Sequence, residues 1–231
     1  TKIMAMVKAF SYGSGSFEIA NLLEFNKVDY LAVAYADEGV SLRKTGTSLP
    51  IMVMSPDLMA FDTIIKHELE PEIYSLRVLK EFEVVLKTKN LKNYPVHIKL
   101  DTGMHRLGFM PEELDEVLSI INLNKLMHVQ SVFSHLVASE NPEHDDYTSH
   151  QINLFIKLSD KISEVLGYSF IRHLANSSAI IRWPNARFDM VRLGIGLYGI
   201  DSLSGNNSAL QTVTSLKTSI SQIKKIPVSD T

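Results

Sequence analysis

The nine residues VKAFSYGSG at positions 7–15 follow an apolar run at positions 3–7, which predicts a β-strand buried on both faces. Lys8 stands at the end of this strand, where an ammonium group is unfavourable unless it is paired or used chemically. The turn after it contains two glycines and three hydroxyl groups and leads into a helical pattern at 17–25. Such a strand end could hold an aldehyde cofactor by a lysine at one end and by its phosphate at the other. The alternative is that Lys8 extends along the strand end into solvent.

The composition excludes several classes of protein. The chain has 231 residues, of which 45% are hydrophobic and 21% charged, as in a globular protein with a buried core. A formal net charge of -3 gives no reason to expect a nucleic acid or an acidic membrane surface as partner. No membrane-spanning run and no signal peptide are visible. Cysteine is absent, which excludes thiolate and disulfide chemistry and favours a cytoplasmic protein.

Short apolar runs alternate with segments of helical spacing along most of the chain. Strands are predicted at 3–7, 30–35, 51–54, 72–75, 96–100, 129–136, 170–174 and 190–198, and helices at 17–25, 36–46, 57–68, 76–89, from 111 onward, 147–166 and 178–183. No hairpin signal separates the strands, so parallel strands joined by helical crossovers are expected. Eight such units predict a (β/α)8 TIM-type barrel over residues 1–203.

The remaining residues have a different pattern. Residues 202–208 are polar and glycine-bearing, which is typical of a linker. The segment TVTSLKTSISQIKKI at 212–226 alternates apolar and polar residues, as a half-buried antiparallel strand does. We therefore expect residues 204–231 to comprise a linker and the first strand of a second, β-rich domain that would continue beyond Thr231.

Functional residues of this class of barrel collect at the carboxyl ends of the strands. The candidates there are Lys8, Tyr12, Lys99, Asp101, Arg106, His135, His173, Asn176, Ser177 and Arg192, with Gly194 and Gly196 beside the last. No carboxylate pair stands out as an acid–base couple, which disfavours a glycosidase. No metal-ligand motif is present, which disfavours a catalytic metal. The glycines at 194, 196 and 199 match G-x-G-x-x-G, but inside a predicted strand, so no dinucleotide site is expected.

These stretches together resemble alanine racemase, a pyridoxal-phosphate enzyme of fold type III whose N-terminal domain is a (β/α)8 barrel. The resemblance covers nearly the whole chain and rests on VKAFSYGSG, IKLDTGMHRLGF, SVFSHL, HLANSSA and VRLGIGLYG. It implies that Lys8 is the lysine joined covalently to the cofactor. The other implied contacts are Tyr12, Gly194 and Ile195 at the cofactor phosphate, His135 packed against the pyridine ring, Asn176 and Ser177 beside the cofactor, and Arg192 opposite the ring nitrogen with His173 behind it.

Two further roles follow from the resemblance. Arg106 is expected near the substrate carboxylate and the phenolic oxygen of the cofactor, as a catalytic residue. Lys99 falls on a position that is carbamylated in many members, where the carbamate anion could pair with Arg106. The alternative is that Lys99 forms a salt bridge with Asp101 or another neighbour. The first motif departs from the family at Phe10-Ser11 and Ser14, which stand where the family has Asn-Ala and His.

The implied activity is the interconversion of L- and D-alanine by two bases, which supplies D-alanine for the peptidoglycan of the cell wall. Lys8 would serve one face of the substrate. The second base would be a tyrosine of the C-terminal domain of the partner subunit, so a homodimer is expected and residues 1–231 alone should be inactive. The alternatives are a non-catalytic pyridoxal-phosphate-binding barrel in cofactor homeostasis, a racemase of another amino acid such as serine, a decarboxylase with the same barrel, and a cofactor-free (β/α)8 enzyme.

Overall fold

The computed structural model describes residues 1–201, 210–215 and 217–229. Eight parallel strands form a closed barrel in chain order, with the last strand paired to the first. The strands are β1 (Lys2–Met6), β2 (Tyr30–Val33), β3 (Ile51–Val53), β4 (Glu70–Ile73), β5 (Tyr94–Lys99), β6 (Met127–Phe133), β7 (Ile171–His173) and β8 (Met190–Leu193). The predicted (β/α)8 barrel is therefore confirmed.

One α-helix follows each of the first seven strands. The helices are α1 (Ser16–Phe25), α2 (Ala36–Lys44), α3 (Phe61–Lys66), α4 (Leu76–Thr88), α5 (Leu114–Asn124), α6 (Asp145–Leu166) and α7 (Ser177–Arg182). Short 3-10 turns lead into α3, α5 and α6. Across the described ranges, no helix is both long enough and apolar enough to cross a membrane.

Helix α4 illustrates how the outer layer forms. The hydroxyl of Ser75 accepts a hydrogen bond of 3.3 Å from the backbone N–H of Val78 and so caps the first turn. Leu79, Phe82 and Leu86 recur at helical spacing and are fully buried against the barrel. The period of these apolar residues therefore specifies both the helix and the face that it buries.

Strand residues alternate between the interior of the barrel and the layer under the helices. The interior has an apolar part and a polar part. The apolar part is a cluster of Met4, Met6, Tyr30, Ala32, Met52, Phe133 and Met190. The polar part is formed by residues of β4 to β8, where the registers place His97 beside both Glu72 and Ser131. Its members are Glu70, Glu72, His97, Lys99, Ser131, His173 and Arg192. The polar part is the side of the interior that supplies side chains for chemistry.

Three predicted boundaries were wrong. Strand β8 ends at Leu193 rather than at 198, because Gly194 (φ -106°, ψ -107°) turns the chain out of the strand into a 3-10 turn, Ile195–Tyr198. The G-x-G-x-x-G match thus opens this short turn instead of lying in a strand. Strand β6 begins at Met127, two residues before the stretch 129–136 that was expected to contain it. Strand β4 begins at Glu70, two residues before its predicted start, although proline and two glutamates make this stretch look unlike a strand.

The C-terminal segment is not part of the barrel sheet. The predicted linker at 202–208 lies outside the described residues. Residues 210–215 and 217–229 carry no helix or strand, so the predicted strand at 212–226 is not formed in this structure. A strand is defined by hydrogen bonds to a neighbouring strand, and no strand of the described residues pairs with this segment. The assignment of 204–231 to a second domain stays a prediction.

Replacing Phe82 by alanine should lower the free energy of unfolding by about 3–5 kcal/mol, because a fully buried aromatic side chain is removed from a close-packed layer. Urea unfolding followed by circular dichroism measures this. Val84, which lies on the exposed face of the same helix, is the control, and Val84→Ala should change the stability by less than about 0.5 kcal/mol. Equal losses in the two variants would contradict the burial of Phe82.

Candidate active site

A cavity of about 400 Å³ lies at the carboxyl ends of the strands. It brings together the predicted site residues except Asp101, His173 and Gly196, of which His173 lies behind Arg192. The predicted residues that line it are Lys8, Tyr12, Lys99, Arg106, His135, Asn176, Ser177, Arg192, Gly194 and Ile195. These residues come from five of the eight strand ends, so closure of the barrel is what assembles them.

Lys8 is held at the cavity by a left-handed turn. Four consecutive residues after it, from Ala9 to Tyr12, have φ between 51° and 54°. Each non-glycine residue in this conformation costs about 1–2 kcal/mol, so the turn needs support. The carboxylate of Glu38 gives part of it, since it accepts 2.6 and 2.7 Å hydrogen bonds from the backbone N–H groups of Ala9 and Ala34. The turn therefore ties Lys8 to the end of β2.

Hydroxyl groups and glycine backbone surround one end of the cavity. The Ser177 hydroxyl accepts hydrogen bonds from the N–H groups of Gly194 (3.0 Å) and Gly196 (3.1 Å). A β-carbon at Gly194 would lie 3.2 Å from the Tyr12 hydroxyl oxygen, so a side chain there would crowd this end. Burial raises the pKa of Tyr12, so its hydroxyl remains a donor. Two hydroxyl groups beside glycine backbone that carries no side chain suit the phosphate of a bound molecule.

Asn176 has a structural role that the sequence did not reveal. Its side-chain oxygen accepts hydrogen bonds from the backbone N–H of Ala179 (3.0 Å) and from the Ser139 hydroxyl (2.9 Å), and its amide donates to the carbonyl of Leu136 at 3.3 Å. It is the N-cap of α7. Asn176 lines the cavity, but its hydrogen-bonding groups are already engaged in positioning Ser177.

Arg192 on β8 is the central buried cation, with 3% of its surface exposed. Its terminal nitrogens donate to the carbonyls of Ser134 (2.6 Å), Leu174 (3.1 Å) and His173 (3.1 Å). They also donate to Nδ1 of His173 (3.0 Å) and of His135 (3.3 Å). Burial lowers the pKa of Arg192 to about 10, and the guanidinium stays charged at neutral pH. Nε donates no hydrogen bond to a described residue, so its N–H is left for a molecule in the cavity.

Both histidines next to Arg192 are neutral. Burial, followed by the charge of Arg192, lowers the pKa of His135 to about 3 and that of His173 well below its usual value. Each ring accepts a hydrogen bond from Arg192 at Nδ1, so the proton of each neutral imidazole is on Nε2. Phe133 stacks on His173 at 4.8 Å between ring centroids and fixes the orientation of that ring.

A chain of hydrogen bonds continues from His173 through the barrel. Its Nε2 lies 2.9 Å from the Ser131 hydroxyl, which lies 2.6 Å from Nδ1 of His97. Nε2 of His97 lies 2.8 Å from the Glu70 carboxylate, which also accepts a 3.1 Å hydrogen bond from Tyr30. With Arg192 as the first donor, every link points toward Glu70. The chain therefore connects the Arg192 cation to the Glu70 carboxylate, with His173 accepting at Nδ1 and donating at Nε2.

Lys99 is paired with a residue that the sequence analysis did not consider. Its Nζ lies 3.2 Å from Oε1 of Glu72 on the neighbouring strand, and the two side chains are 4% and 0% exposed. Asp101, the other predicted partner, instead accepts hydrogen bonds at Oδ1 from the backbone N–H groups of Gly103 (2.9 Å) and His105 (3.0 Å). Glu72 is thus the carboxylate neighbour of Lys99.

Arg106 is presented by a closed loop after β5. Backbone hydrogen bonds of 2.9 Å join Phe109 to Lys99 and to Asp101 at the base of the loop. Gly108 has φ of 128°, and a β-carbon there would lie 2.5 Å from the backbone nitrogen of Asp101. The loop can close only with glycine at this position, and closure places Arg106 at the cavity.

The sequence analysis missed several lining residues, among them Met6, Met54, Phe133, Leu136, Val137, Glu140 and Ser178. Most are apolar and gave no chemical signal in the chain. Glu72 did give a chemical signal in the sequence, because a carboxylate between apolar strand residues is unusual. Its predicted position at a strand start concealed this, since strand ends tolerate charge.

The fold and this site define a (β/α)8 barrel with a lysine-bearing, cationic cavity at the carboxyl ends of its strands. Residues 1–202 match the family model described as alanine racemase, N-terminal domain. The chain belongs to this family. It is 39% identical to an alanine racemase of Clostridium tetani over 97% of this chain and 59% of that protein. The chain thus spans less than two thirds of the length of the curated relatives that it matches.

Solved structures agree. An alanine racemase of Clostridium difficile 630 superposes with a TM-score of 0.80 and 37% identity over 87% of this chain and 52% of that one. An alanine racemase of Bartonella henselae, described with covalently bound pyridoxal phosphate, superposes with a TM-score of 0.81 and 26% identity over 92% and 58% of the two chains.

The neutral His135 makes stability depend on pH. An unfolded histidine binds a proton below about pH 6.5, whereas His135 in the fold does not until about pH 3. The unfolded state therefore binds more protons in this window, and stability is lost as pH falls below about 6.5, by up to about 1.4 kcal/mol per pH unit. Urea unfolding between about pH 5 and 6.5 should show a shallower slope in His135→Asn than in the wild type. The exposed His144→Asn should keep the wild-type slope, and a wild-type slope in His135→Asn would show that His135 is charged in the fold.

Gly108→Ala should destabilise the loop that carries Arg106, by about 1–3 kcal/mol more than Gly46→Ala. Both glycines have positive φ, of 128° and 96°, so both variants suffer backbone strain. Only Gly108 has backbone atoms in the path of the new carbon, since nothing lies within 4 Å of a β-carbon at Gly46. Thermal unfolding of the two variants measures the difference, and equal shifts in melting temperature would contradict the close approach.

Proposed function

We propose that the protein, at its natural length, is an alanine racemase that binds pyridoxal 5'-phosphate in the cavity and interconverts L- and D-alanine. The observation that carries the proposal is that Lys8 and Arg192, which lie far apart in the chain, line one cavity of about 400 Å³. The cavity is large enough for one small aromatic cofactor and an amino acid. The related Bartonella henselae structure, described with covalently bound pyridoxal phosphate, supports the choice of cofactor.

The cavity residues fit the two ends of this cofactor. Tyr12, Ser177 and the backbone at Gly194 would hold the phosphate, with Ile195 beside them. Arg192 would meet the ring nitrogen through Nε, the nitrogen for which no protein acceptor is recorded. His135 would lie against the ring, since it is neutral and fixed by its hydrogen bond to Arg192. These are the roles that the resemblance assigns, and the observed donors support them.

When bound, pyridoxal phosphate supplies an electron sink for the negative charge left when the α-proton of an amino acid is removed. The residues of this chain would bind, orient and move the proton. Lys8 offers an amine that can anchor the cofactor and then take or return a proton at Nζ on one face of the substrate. Arg106, at the same cavity, would attract the substrate carboxylate.

Arg192 limits the chemistry. It can only donate hydrogen bonds, and it remains charged, so a ring nitrogen facing it would accept a hydrogen bond without taking the proton. Negative charge would then spread less into the ring than it does opposite a carboxylate. Such a site favours the return of the proton to the α-carbon over side reactions, which is what a racemase requires.

The remaining parts of the proposal concern the whole protein. The opposite face of the substrate needs a second base, which the resemblance assigns to a tyrosine of the C-terminal domain of a partner subunit. A homodimer is therefore proposed, with D-alanine for peptidoglycan as the product. Residues 1–231 alone would lack this base and are expected to be inactive.

Lys8→Ala should abolish the visible absorption band of the covalently bound cofactor and lower the rate of alanine interconversion by about 10²–10⁴-fold or more, because both the anchor and one base are lost. The protein at its natural length, loaded with pyridoxal phosphate, is measured by absorption and by a coupled D-alanine assay. Lys80→Ala, which removes an exposed amine paired with Glu116, is the control and should keep the band and the rate.

The same measurements separate the alternatives. A cofactor band that depends on Lys8, without interconversion of any amino acid, would favour the non-catalytic carrier. Faster interconversion of serine than of alanine would favour a racemase of another substrate. A band that persists in Lys8→Ala would contradict the assignment of the anchoring lysine.

A further inference from the structure

Glu72 is a buried carboxylate that neither the fold nor the proposed function uses. It lies inside β4, is 0% exposed, and shares its register with His97, so it points into the barrel. Neither of its oxygens accepts a hydrogen bond from the described residues. Burying an ionised carboxylate without hydrogen bonds is unfavourable, and such a group needs nearby positive charge to remain ionised.

Positive charge surrounds Glu72. Nζ of Lys99 lies 3.2 Å from its Oε1. A small cavity of about 220 Å³ beside Glu72 is lined by Lys99, Arg106 and Lys8, all three of which also line the main cavity. Burial raises the pKa of Glu72, and the charges of Lys99, Arg192 and Arg106 oppose this increase. Glu72 is therefore in electrostatic contact with the cations of the proposed active site.

The charge balance of the two cavities depends on this residue. Their lining contains the cations Lys8, Lys99, Arg106 and Arg192, and the carboxylates Glu72 and Glu140, of which Glu140 is exposed. Burial lowers the pKa of Lys99, and Glu72 is the main group that raises it again. Without Glu72, a buried amine beside two guanidinium groups would lose its proton more easily.

We propose that Glu72 is the fixed counter-ion of the site: it keeps Lys99 as an unmodified ammonium group and holds the Arg106 guanidinium at the cavity. Carbamylation joins the neutral amine nitrogen to the carbon of CO₂, releases one proton and leaves an anion on the side chain. On Lys99 this anion would lie beside the Glu72 carboxylate with almost no solvent to screen it. Glu72 therefore occupies the place that the sequence analysis assigned to a carbamate. It is a positioning residue, and its effect on turnover rests on the proposed function.

Carbon-13 NMR in labelled bicarbonate tests the first half of the proposal without cofactor or turnover. The wild-type protein at its natural length should show no lysine carbamate signal from Lys99. Glu72→Gln, which leaves Lys99 without its anion, should gain one. The signal is assigned by its loss in Glu72→Gln/Lys99→Met, which replaces the buried pair by neutral groups of similar volume. A Lys99 carbamate in the wild type, or none in Glu72→Gln, would overturn the proposal.

Steady-state kinetics test the second half. Glu72→Gln should raise KM for alanine by about tenfold with a smaller change in kcat, because Arg106 loses its counter-ion. Bicarbonate should partly restore KM in this variant, and in the double variant it should not, since a lysine is needed to carry the anion. Glu116→Gln, which removes a half-exposed carboxylate on the outer surface, should have wild-type kinetics. An unchanged KM in both Glu72 variants would overturn the proposal.

The two kinds of failure are distinguishable. If the wild-type protein does not interconvert alanine, the proposed function fails, and the NMR result still decides the state of Lys99. If Glu72→Gln does not fold, the double variant carries the test, because a neutral pair avoids an uncompensated buried charge. If KM is raised in the double variant and bicarbonate does not change it, the result supports the role of Glu72 as counter-ion.

Discussion

The hydrogen bonds between β1 and β8 close the barrel, and the proposed site depends on this closure. The register pairs Met4 with Arg192, which places Lys8 just beyond the buried guanidinium on the adjacent strand. Nearly the whole barrel separates these two residues in the chain. Closure at this seam also brings the last strand end, with Gly194 and its 3-10 turn, against the hydroxyl of Tyr12. A strand missing from the sheet would separate the two ends of the cavity.

The second constraint is the uneven polarity of the barrel interior. Methionines of β1, β3 and β8 pack in the apolar part with Tyr30, Ala32 and Phe133, and the charged and neutral polar side chains of the interior come from β4 to β8. Arg192 remains charged in this environment because three carbonyl groups and two neutral histidines accept hydrogen bonds from its guanidinium. Burial, together with the charge of Arg192, lowers the pKa of both histidines and keeps them neutral. Glu70 ends the chain of donors, and so the orientation of the ring next to Arg192 is fixed from the opposite side of the barrel.

Strain is concentrated where the side chains must be aimed. The turn after Lys8 holds four non-glycine residues in the left-handed conformation, and the loop that carries Arg106 closes at Gly108, which has a positive φ. Each is supported by a carboxylate that accepts hydrogen bonds from backbone N–H groups, Glu38 in one case and Asp101 in the other. The rigid part of the barrel thus stabilises two unfavourable backbone segments at the entrance to the cavity, as is common at functional sites.

Much of this could be inferred from the chain. Apolar runs and helical spacing predicted the eight strands and their crossovers, and residue type marked Lys8, Arg106 and Arg192, because these are local properties of short segments. The end of β8 was misplaced, since a glycine-containing turn and a strand can be built from the same apolar residue types. The pairing of Lys99 with Glu72 could not be seen in the sequence. A buried ion pair is defined by which strands lie side by side and by how far water is excluded, and both are decided only when the barrel closes.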